Sequence, residues 1–327
     1  MSGAAVNVGE EQDVFLSHFE WLTKERAGQD PSWLQSIRRS AMERFAQLGF
    51  PHGRLEEWRF TNVAPIKKIP FQLAARDDQR VTIDRVRPLM FGEGPRLVLV
   101  NGRFCPELSE VSSLPRGAIV TGLEQAVKTY PERVEAHLAR YADIKNHAFT
   151  ALNTAFITDG AFVYIPSGVV VEAPLHLLFL STTREAALVS HPRNLIIVES
   201  NSRVHIVEDY AGASERPCFT NPVTEVVVKE NASVDHYRLV RESLHTFHIA
   251  TQQTHEGRDA RYLSYSLTLG GALIRNDISV VLGGEGSECT LNGFYVVKDR
   301  QHVDHHTRID HATPHSNSRE FYKGILD

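Results

Sequence analysis

A short turn-then-strand unit returns along the C-terminal half of the chain. Each unit opens with a turn rich in Asn, Gly, Ser and Asp and continues into residues that favour β-strands, such as Val, Ile, Tyr and Phe. The units begin at residues 166, 201, 231, 257, 286 and 317. A spacing of roughly 30 residues is typical of stacked repeats, in which each unit buries the apolar face of the next. This repeat limits the possible folds more than any other feature of the sequence.

The repeat predicts a parallel β-helix. Three strands of about 5–6 residues, joined by short turns, fill one interval. The coils are expected to wind right-handed, because parallel crossover connections nearly always do. The apolar runs at residues 195–198 and 226–228 fit parallel strands that are covered on both faces. An antiparallel sandwich with evenly spaced turns is the alternative.

The N-terminal part of the chain has a helical pattern instead. Apolar residues at spacings of three and four predict helices near residues 14–22, 34–48 and 149–156. Asp30 is expected to cap the second of these helices, since Asp favours N-cap positions. Residues 81–84 have the composition of a strand.

This change of pattern predicts two domains. Residues 1–150 form a smaller, mostly helical (α/β) domain, and residues 151–327 form the β-helix core, incomplete at its C-terminal end. The sequence stops a few residues into a repeat unit, and no polar coil covers that unit, although repeat arrays need such caps. We therefore expect the sequence to be a fragment of a longer subunit, or to be covered by a partner at that end.

The composition argues against several classes of function. The 327 residues carry 35 Lys and Arg against 40 Asp and Glu, a net charge of −5, which disfavours nucleic acid or an anionic membrane as the main partner. No run reaches the ~20 apolar residues of a membrane span, and residues 1–5 lack the basic start of a signal peptide. Three cysteines without a Cys-x-x-Cys pair indicate a reducing compartment. A cytoplasmic location is therefore expected.

Histidine is the unusual residue, with 16 in the chain. His302, Asp304 and His306 share one face of a predicted strand, because side chains alternate along a strand. Two imidazoles and a carboxylate are ligands that zinc or iron(II) accepts, so these three residues are the candidate metal site. A polar ladder on the outer wall of a coil is the alternative. His305, on the apolar face, is expected to be buried and hydrogen-bonded.

Three further positions have both a functional and a structural interpretation. Adjacent carboxylates at Glu208 and Asp209 suit acid–base catalysis, but neighbouring strand residues point to opposite faces. Cys289 occupies the position of a valine in sister units, which favours a small buried side chain over a reactive thiol. Residues 56–62 mix aromatic and charged side chains, and form either a docking surface or a loop held against the core.

Several motifs together resemble the SufB/SufD family, the scaffold subunits of the SUF iron–sulfur cluster assembly machine. The motifs are EEWRFT (residues 56–61), NGRF (101–104), ALNTAF (151–156), DGAFVYIP (159–166) and HVDH (302–305). The resemblance extends over nearly the whole chain. Within the family the chain is more similar to SufD than to SufB, because the SufB pattern has Gly-Cys after Glu208, whereas Asp209 and Tyr210 follow it here.

The resemblance implies a non-catalytic scaffold rather than an enzyme. Such a subunit pairs with a SufB-like paralogue through the β-helix edge and recruits SufC, the ATPase that hydrolyses ATP. A transient iron–sulfur cluster forms at the SufB–SufD interface, with no permanently bound cofactor, and flavin binding is left open. Family members continue into further coils and a C-terminal helical domain that docks SufC, so the SufC docking region is expected to be missing here.

Two other functions remain as alternatives at this point. A cupin-like metal-dependent enzyme would use His302, Asp304 and His306, and it requires a closed antiparallel barrel around a metal pocket. A carbohydrate-active β-helix is disfavoured by the lack of a convincing acidic cluster and of a signal peptide.

Overall fold

The structure, a computed structural model, describes residues 10–74, 81–183, 185–212 and 214–327. The chain is mainly β, with 42% of residues in strands and 22% in helices. The C-terminal part forms a β-solenoid of about six turns, and a helical region precedes it. The predicted fold class, a β-helix after a helical domain, is confirmed. Residues 1–5, on which the signal-peptide prediction depends, lie outside the described residues.

The described helices and strands follow the two-part pattern of the sequence. The helices are α1 (Glu10–Glu25), α2 (Ser32–Leu48), α3 (Ala64–Lys67), α4 (Ile83–Val86), α5 (Leu123–Thr129), α6 (Pro131–His137) and α7 (Ala148–Ala155). The strands are β1 (Gln72–Leu73), β2 (Arg96–Val100), β3 (Arg103–Phe104), β4 (Ile119–Gly122), β5 (Ala161–Ile165), β6 (Val170–Ser181), β7 (Leu188–Ser190), β8 (Arg193–Val198), β9 (Arg203–Gly212), β10 (Cys218–Thr220), β11 (Val223–Val228), β12 (Ser233–Arg241), β13 (Thr246–Glu256), β14 (Arg261–Thr268), β15 (Leu273–Leu282), β16 (Glu288–Val297), β17 (His302–His311) and β18 (Asn317–Leu326).

The strands form two sheets, and the chain passes from one to the other in every coil. The helix-side sheet contains β1, β4, β5, β7, β8, β10, β11, β13, β15 and β17, and the open sheet contains β2, β3, β6, β9, β12, β14, β16 and β18. Apart from the antiparallel pairs β2–β3 and β4–β5, paired strands of the described chain are parallel. The antiparallel sandwich is therefore wrong, and the closed barrel that the cupin-like alternative requires is not the fold observed.

The repeat units predicted from the sequence mark one corner of each coil, where the chain leaves the helix-side sheet for the open sheet. One residue at each of these corners has a positive φ, namely Gly168, Asn201, Asn231, Asp259, Gly286 and His315. Glycine enters this region without a Cβ clash, and Asn and Asp visit it more readily than most other residues. The turn composition of the repeat thus has a direct conformational cause.

Three strands per coil, the predicted arrangement, occur only in the early coils. There the helix-side strand is interrupted, with Pro192 between β7 and β8 and Pro222 between β10 and β11. Proline has no backbone N–H to donate to a ladder. Ala250 occupies the place that matches Pro222 in the register, and β13 runs unbroken for 11 residues. From β12 onward each coil therefore has two long strands, and the three-strand prediction is wrong there.

Helix α7 packs against the proline breaks. The Asn153 side-chain amide donates to the carbonyl oxygens of Pro192 and Asn221, both at 2.8 Å. The Asn221 amide in turn donates to the carbonyl of Phe149 at 3.0 Å. Because α7 extends from Ala148 to Ala155, it crosses the predicted domain boundary at residue 150.

The main apolar core lies between the two sheets, and it includes Val163, Val198 and Val226 from one sheet and Val204, Ile206 and Val234 from the other. A second apolar cluster joins the helices to the outer side of the helix-side sheet, through residues such as Phe45 and Phe149 against Phe219 and Ile249. The early strands of the helix-side sheet are therefore covered on both faces, as parallel sheets usually are, whereas β17 is only partly buried.

Two local predictions are wrong. Ile83–Val86 form a helix, not a strand. Asp30 makes no capping bond to α2, because its carboxylate is bound by the guanidinium groups of Arg26 and Arg38, each at 2.6 Å. A helix long and apolar enough to cross a membrane is not found in the described part of the chain.

Candidate functional site

The predicted metal residues lie on the outward face of β17, under the loop of residues 52–62. His302, Asp304 and His306 share this face, while Val303 and Ile309 pack toward the core between the sheets. The alternation predicted along this strand is confirmed.

The contacts of Asp304 show how this face is used. Its Oδ2 accepts hydrogen bonds from Arg275 Nη1, at 2.7 Å, and from the hydroxyl of Thr61. Its Oδ1 lies 3.1 Å from His306 Nε2, and His302 Nε2 lies 3.1 Å from the Thr61 hydroxyl. Both oxygens that a metal would need are thus engaged by protein groups. No group of three or more His, Cys, Asp or Glu side chains in the described ranges is arranged to hold a metal, and the metal site stays a prediction that metal analysis of the purified protein can test.

Arg275 connects the loop of residues 52–62 to Asp304, and no sequence motif indicates this role. Its guanidinium lies 3.9 Å from the ring centre of Trp58 and donates to the carbonyl of Glu57 at 2.6 Å. It also pairs with Asp277 at 2.8 Å. The loop is therefore held against the sheet through its backbone and Trp58, whereas Phe60 is 83% exposed. The interpretation of a loop held against the core is confirmed for Trp58, and the docking surface stays a prediction.

A chain of hydrogen bonds among polar side chains lies inside the solenoid. Glu208 accepts from the Tyr210 hydroxyl at 2.7 Å and from Thr224 at 3.0 Å, and it lies 2.9 Å from His236 Nε2. His236 Nδ1 lies 2.8 Å from the Tyr262 hydroxyl. Burial alone would raise the pKa of Glu208, but the charge of Arg238 and these contacts outweigh it and lower that pKa to about 2. Glu208 is therefore an ionised structural group.

Asp209 points to the opposite side of β9. Its carboxylate pairs with Arg241 at 2.6 Å and lies 3.1 Å from His176 Nε2. Glu208 and Asp209 therefore lie on different faces of the strand, because side chains alternate along it. They cannot act together as an acid–base pair.

His305 is only partly as predicted. Its ring nitrogens are buried, but neither has a hydrogen-bond partner in the described chain. The ring packs instead between Tyr295 and Tyr322, with ring centres 5.6 and 5.3 Å away. Aromatic packing thus replaces the expected hydrogen bond.

The three thiols are all buried, as predicted for Cys289. Burial is the main cause that raises the pKa of Cys105 to about 12, that of Cys218 to about 11, and that of Cys289 well above its ordinary value. Because the thiolate is the nucleophile and the metal ligand, none of these residues is prepared for sulfur or metal chemistry in the native fold.

This burial predicts the reactivity of the thiols. At pH 8 an aromatic disulfide reagent is expected to leave the native chain unmodified and to modify all three cysteines after denaturation. Ser36→Cys, on the exposed side of α2, is a positive control that reacts at once. Rapid modification of a wild-type thiol in the folded protein would show that one of these side chains is accessible.

Two family descriptions match the chain. The SUF system FeS cluster assembly SufBD core domain covers residues 179–327, and the SufBD protein N-terminal region covers residues 10–177. The chain belongs to the SufBD family. An iron-sulfur cluster assembly SufBD family protein of Synechocystis is 33% identical, over 92% of this chain and 68% of its own length. The SufD proteins of Bacillus subtilis and Escherichia coli are 27% and 22% identical, over 91% and 87% of this chain and 69% and 64% of theirs.

These SufBD relatives confirm the resemblance drawn from the motifs, including the resemblance to SufD. The chain spans about two thirds of the length of the curated relatives it matches. Within the SufBD fold, the EEWRFT motif has a structural role here, because Trp58 and Thr61 join the N-terminal region to β15 and β17.

Proposed function

We propose that this SufBD-family chain is a non-catalytic scaffold subunit of iron–sulfur cluster assembly in the cytoplasm. The observation that carries the proposal is the family match, which covers residues 10–177 and 179–327. The cluster is cargo in this proposal, formed transiently at an interface with a SufB-like paralogue, and the chain binds no permanent cofactor. Recruitment of a SufC ATPase belongs to the same proposal, for the subunit in its longer form.

The chemistry of the described side chains supports a binding role over a catalytic one. The thiols are buried, with raised pKa values, and the adjacent carboxylates of Glu208 and Asp209 face opposite sides of a strand. The interior between the sheets is filled by side chains, so the solenoid is a solid body and not a barrel around a reaction chamber.

The exposed apolar side chains of β18 support the pairing mode. Phe321 and Ile325 are exposed, whereas Tyr322 between them packs on the core, so the first two face outward from the open sheet. We assign the SufB-like partner to this part of the β-helix.

Co-purification tests the scaffold proposal. A tagged chain, co-expressed with a SufB-like protein and a SufC ATPase, is expected to retain the SufB-like protein. SufC is expected only with a version extended past Asp327. Phe321→Asp should reduce recovery of the SufB-like protein, whereas Leu244→Asp is the matched control, since it alters another exposed apolar side chain (65% against 66%) in the loop between β12 and β13. Recovery of neither partner by either version would contradict the proposal.

A further inference from the structure

A pocket of about 140 Å³ lies in the N-terminal region, between the end of α1, the start of α2 and α5. Its inner wall is apolar and is formed by side chains that are at most 9% exposed, namely Leu34, Leu123, Val127 and Ile157. A cavity of similar volume with an apolar lining binds a benzene molecule. This pocket therefore has room for one ring or one short aliphatic chain.

The opposite side of the pocket carries charged groups. Arg26, Asp30, Glu124 and Lys128 line it, and Arg38, which does not line it, pairs with Asp30 at 2.6 Å. Arg26 bridges the two carboxylates, at 2.6 Å from Asp30 and 2.8 Å from Glu124. Burial would raise the pKa of Asp30, but the hydrogen bonds from Arg26 and Arg38 outweigh it and lower that pKa. Three cations thus face two carboxylates, which leaves one positive charge in excess.

Lys128 is the cation of this cluster that can meet a ligand. Its side chain is 54% exposed, whereas those of Arg26 and Arg38 are 5% and 6% exposed. In the described chain its ammonium contacts Glu124 Oε1 at 3.1 Å, an oxygen that also accepts a hydrogen bond from Arg26. An ammonium has three N–H donors, so two of them remain for a bound anion.

We propose that this pocket binds a small monocarboxylic acid as its anion, with the apolar body against Leu34, Leu123 and Ile157 and the carboxylate beside Lys128. The ring-sized volume and the apolar wall select the body of the ligand. The single positive charge in excess selects one negative charge. The lining extends from residue 26 to residue 158 and includes no residue of β18, so the proposal does not depend on the scaffold role.

Benzoate is a suitable probe of the pocket. Titration of the full chain with benzoate, followed by two-dimensional NMR, is expected to give saturable shifts of the backbone amides of Leu34, Leu123 and Val127. Crystals soaked in benzoate should show its carboxylate within hydrogen-bond distance of Lys128 Nζ. Benzyl alcohol has the same ring without the charge, and it should bind about fivefold more weakly, because it makes no charge-assisted contact.

Lys128→Met tests the charged contact. This variant is expected to bind benzoate about fivefold more weakly than the wild type and to bind benzyl alcohol with unchanged affinity. It should fold normally, because Lys128 is an exposed side chain of α5. Lys298→Met is the matched control, since it removes an ammonium of similar exposure (66% against 54%) in the loop after β16. It should bind benzoate like the wild type.

Three results would overturn the pocket as a carboxylate site. The first is a benzoate titration without saturable shifts at the residues of the apolar wall. The second is equal affinity of the wild type and Lys128→Met for benzoate. The third is benzyl alcohol that binds as tightly as benzoate, because the excess charge would then select nothing.

Discussion

Replacing Glu225 by alanine is expected to lower the free energy of unfolding by about 3–5 kcal/mol, because the change leaves a buried cation unpaired. Glu225 is fully buried on β11, with an oxygen 2.8 Å from Arg193 Nη2. Its carboxylate also accepts backbone hydrogen bonds from Ala139, Tyr141 and Ala142, at 2.8 to 2.9 Å. One side chain thus joins the segment after α6 to the helix-side sheet. Urea unfolding followed by circular dichroism measures the loss.

Glu230→Ala is the matched control for this prediction. Glu230 follows β11 and pairs with Arg258, but the two side chains are 50% and 63% exposed. Exposed ion pairs contribute at most about 1 kcal/mol, so this variant should unfold close to the wild type. If Glu225→Ala and Glu230→Ala destabilise the chain equally, the buried pair does not hold the helical segment to the sheet.

The opposite effect is expected for Glu256→Gln, which should stabilise the chain at neutral pH. Glu256 points into the solenoid from β13, between Val228 and Leu282 in the register, and neither carboxyl oxygen has a hydrogen-bond partner in the described residues. Burial, and then repulsion by Glu288, raise the pKa of Glu256 from 4.5 to about 9. The folded chain therefore keeps a proton that the unfolded chain releases.

The sign of this effect follows from proton uptake on folding. Below pH 4.5 the carboxyl is neutral in both states and costs nothing, whereas the penalty grows as the pH rises toward 9. At pH 7 it is on the order of 3 kcal/mol. Denaturant titrations of wild type and Glu256→Gln should therefore agree near pH 4 and diverge as the pH rises. Glu230→Gln, at an exposed site, should show no such divergence, and parallel pH curves for Glu256→Gln and wild type would rule out the buried neutral carboxyl.

Much of the solenoid is predictable from local chemistry. Each corner needs a residue with positive φ, and Asn, Asp or Gly appears at five of these six corners at nearly regular intervals, with His315 at the last. The number of strands per coil can also be predicted from the sequence. Pro192 and Pro222 interrupt the helix-side strands of the early coils, whereas Ala250 at the matching position leaves β13 unbroken. Reading the prolines against the repeat register would have corrected the three-strand prediction.

Only part of the candidate site is predictable from the sequence. Arg275 and Asp304 are neighbours in the register of adjacent coils. The repeat spacing therefore predicts the ion pair between them, in which Asp304, a predicted metal ligand, is engaged. The contacts of Trp58 with Arg275 and of Thr61 with Asp304 cannot be predicted in this way, because tertiary packing brings together positions more than 200 residues apart. The roles of Arg193 and Arg238 also depend on burial that no local pattern reports.

At the two proline breaks, Asn153 of α7 binds carbonyl groups from two successive turns of the solenoid. In a simple array each repeat contacts only its neighbours, so opening proceeds one repeat at a time from an end. Here a single amide couples two of them, and the early turns should exchange their backbone amide hydrogens with solvent as one cooperative block. The later turns have a second coupling, because Trp58 and Thr61 of one N-terminal loop contact β15 and β17, so the turns that contain these strands should exchange as a second block.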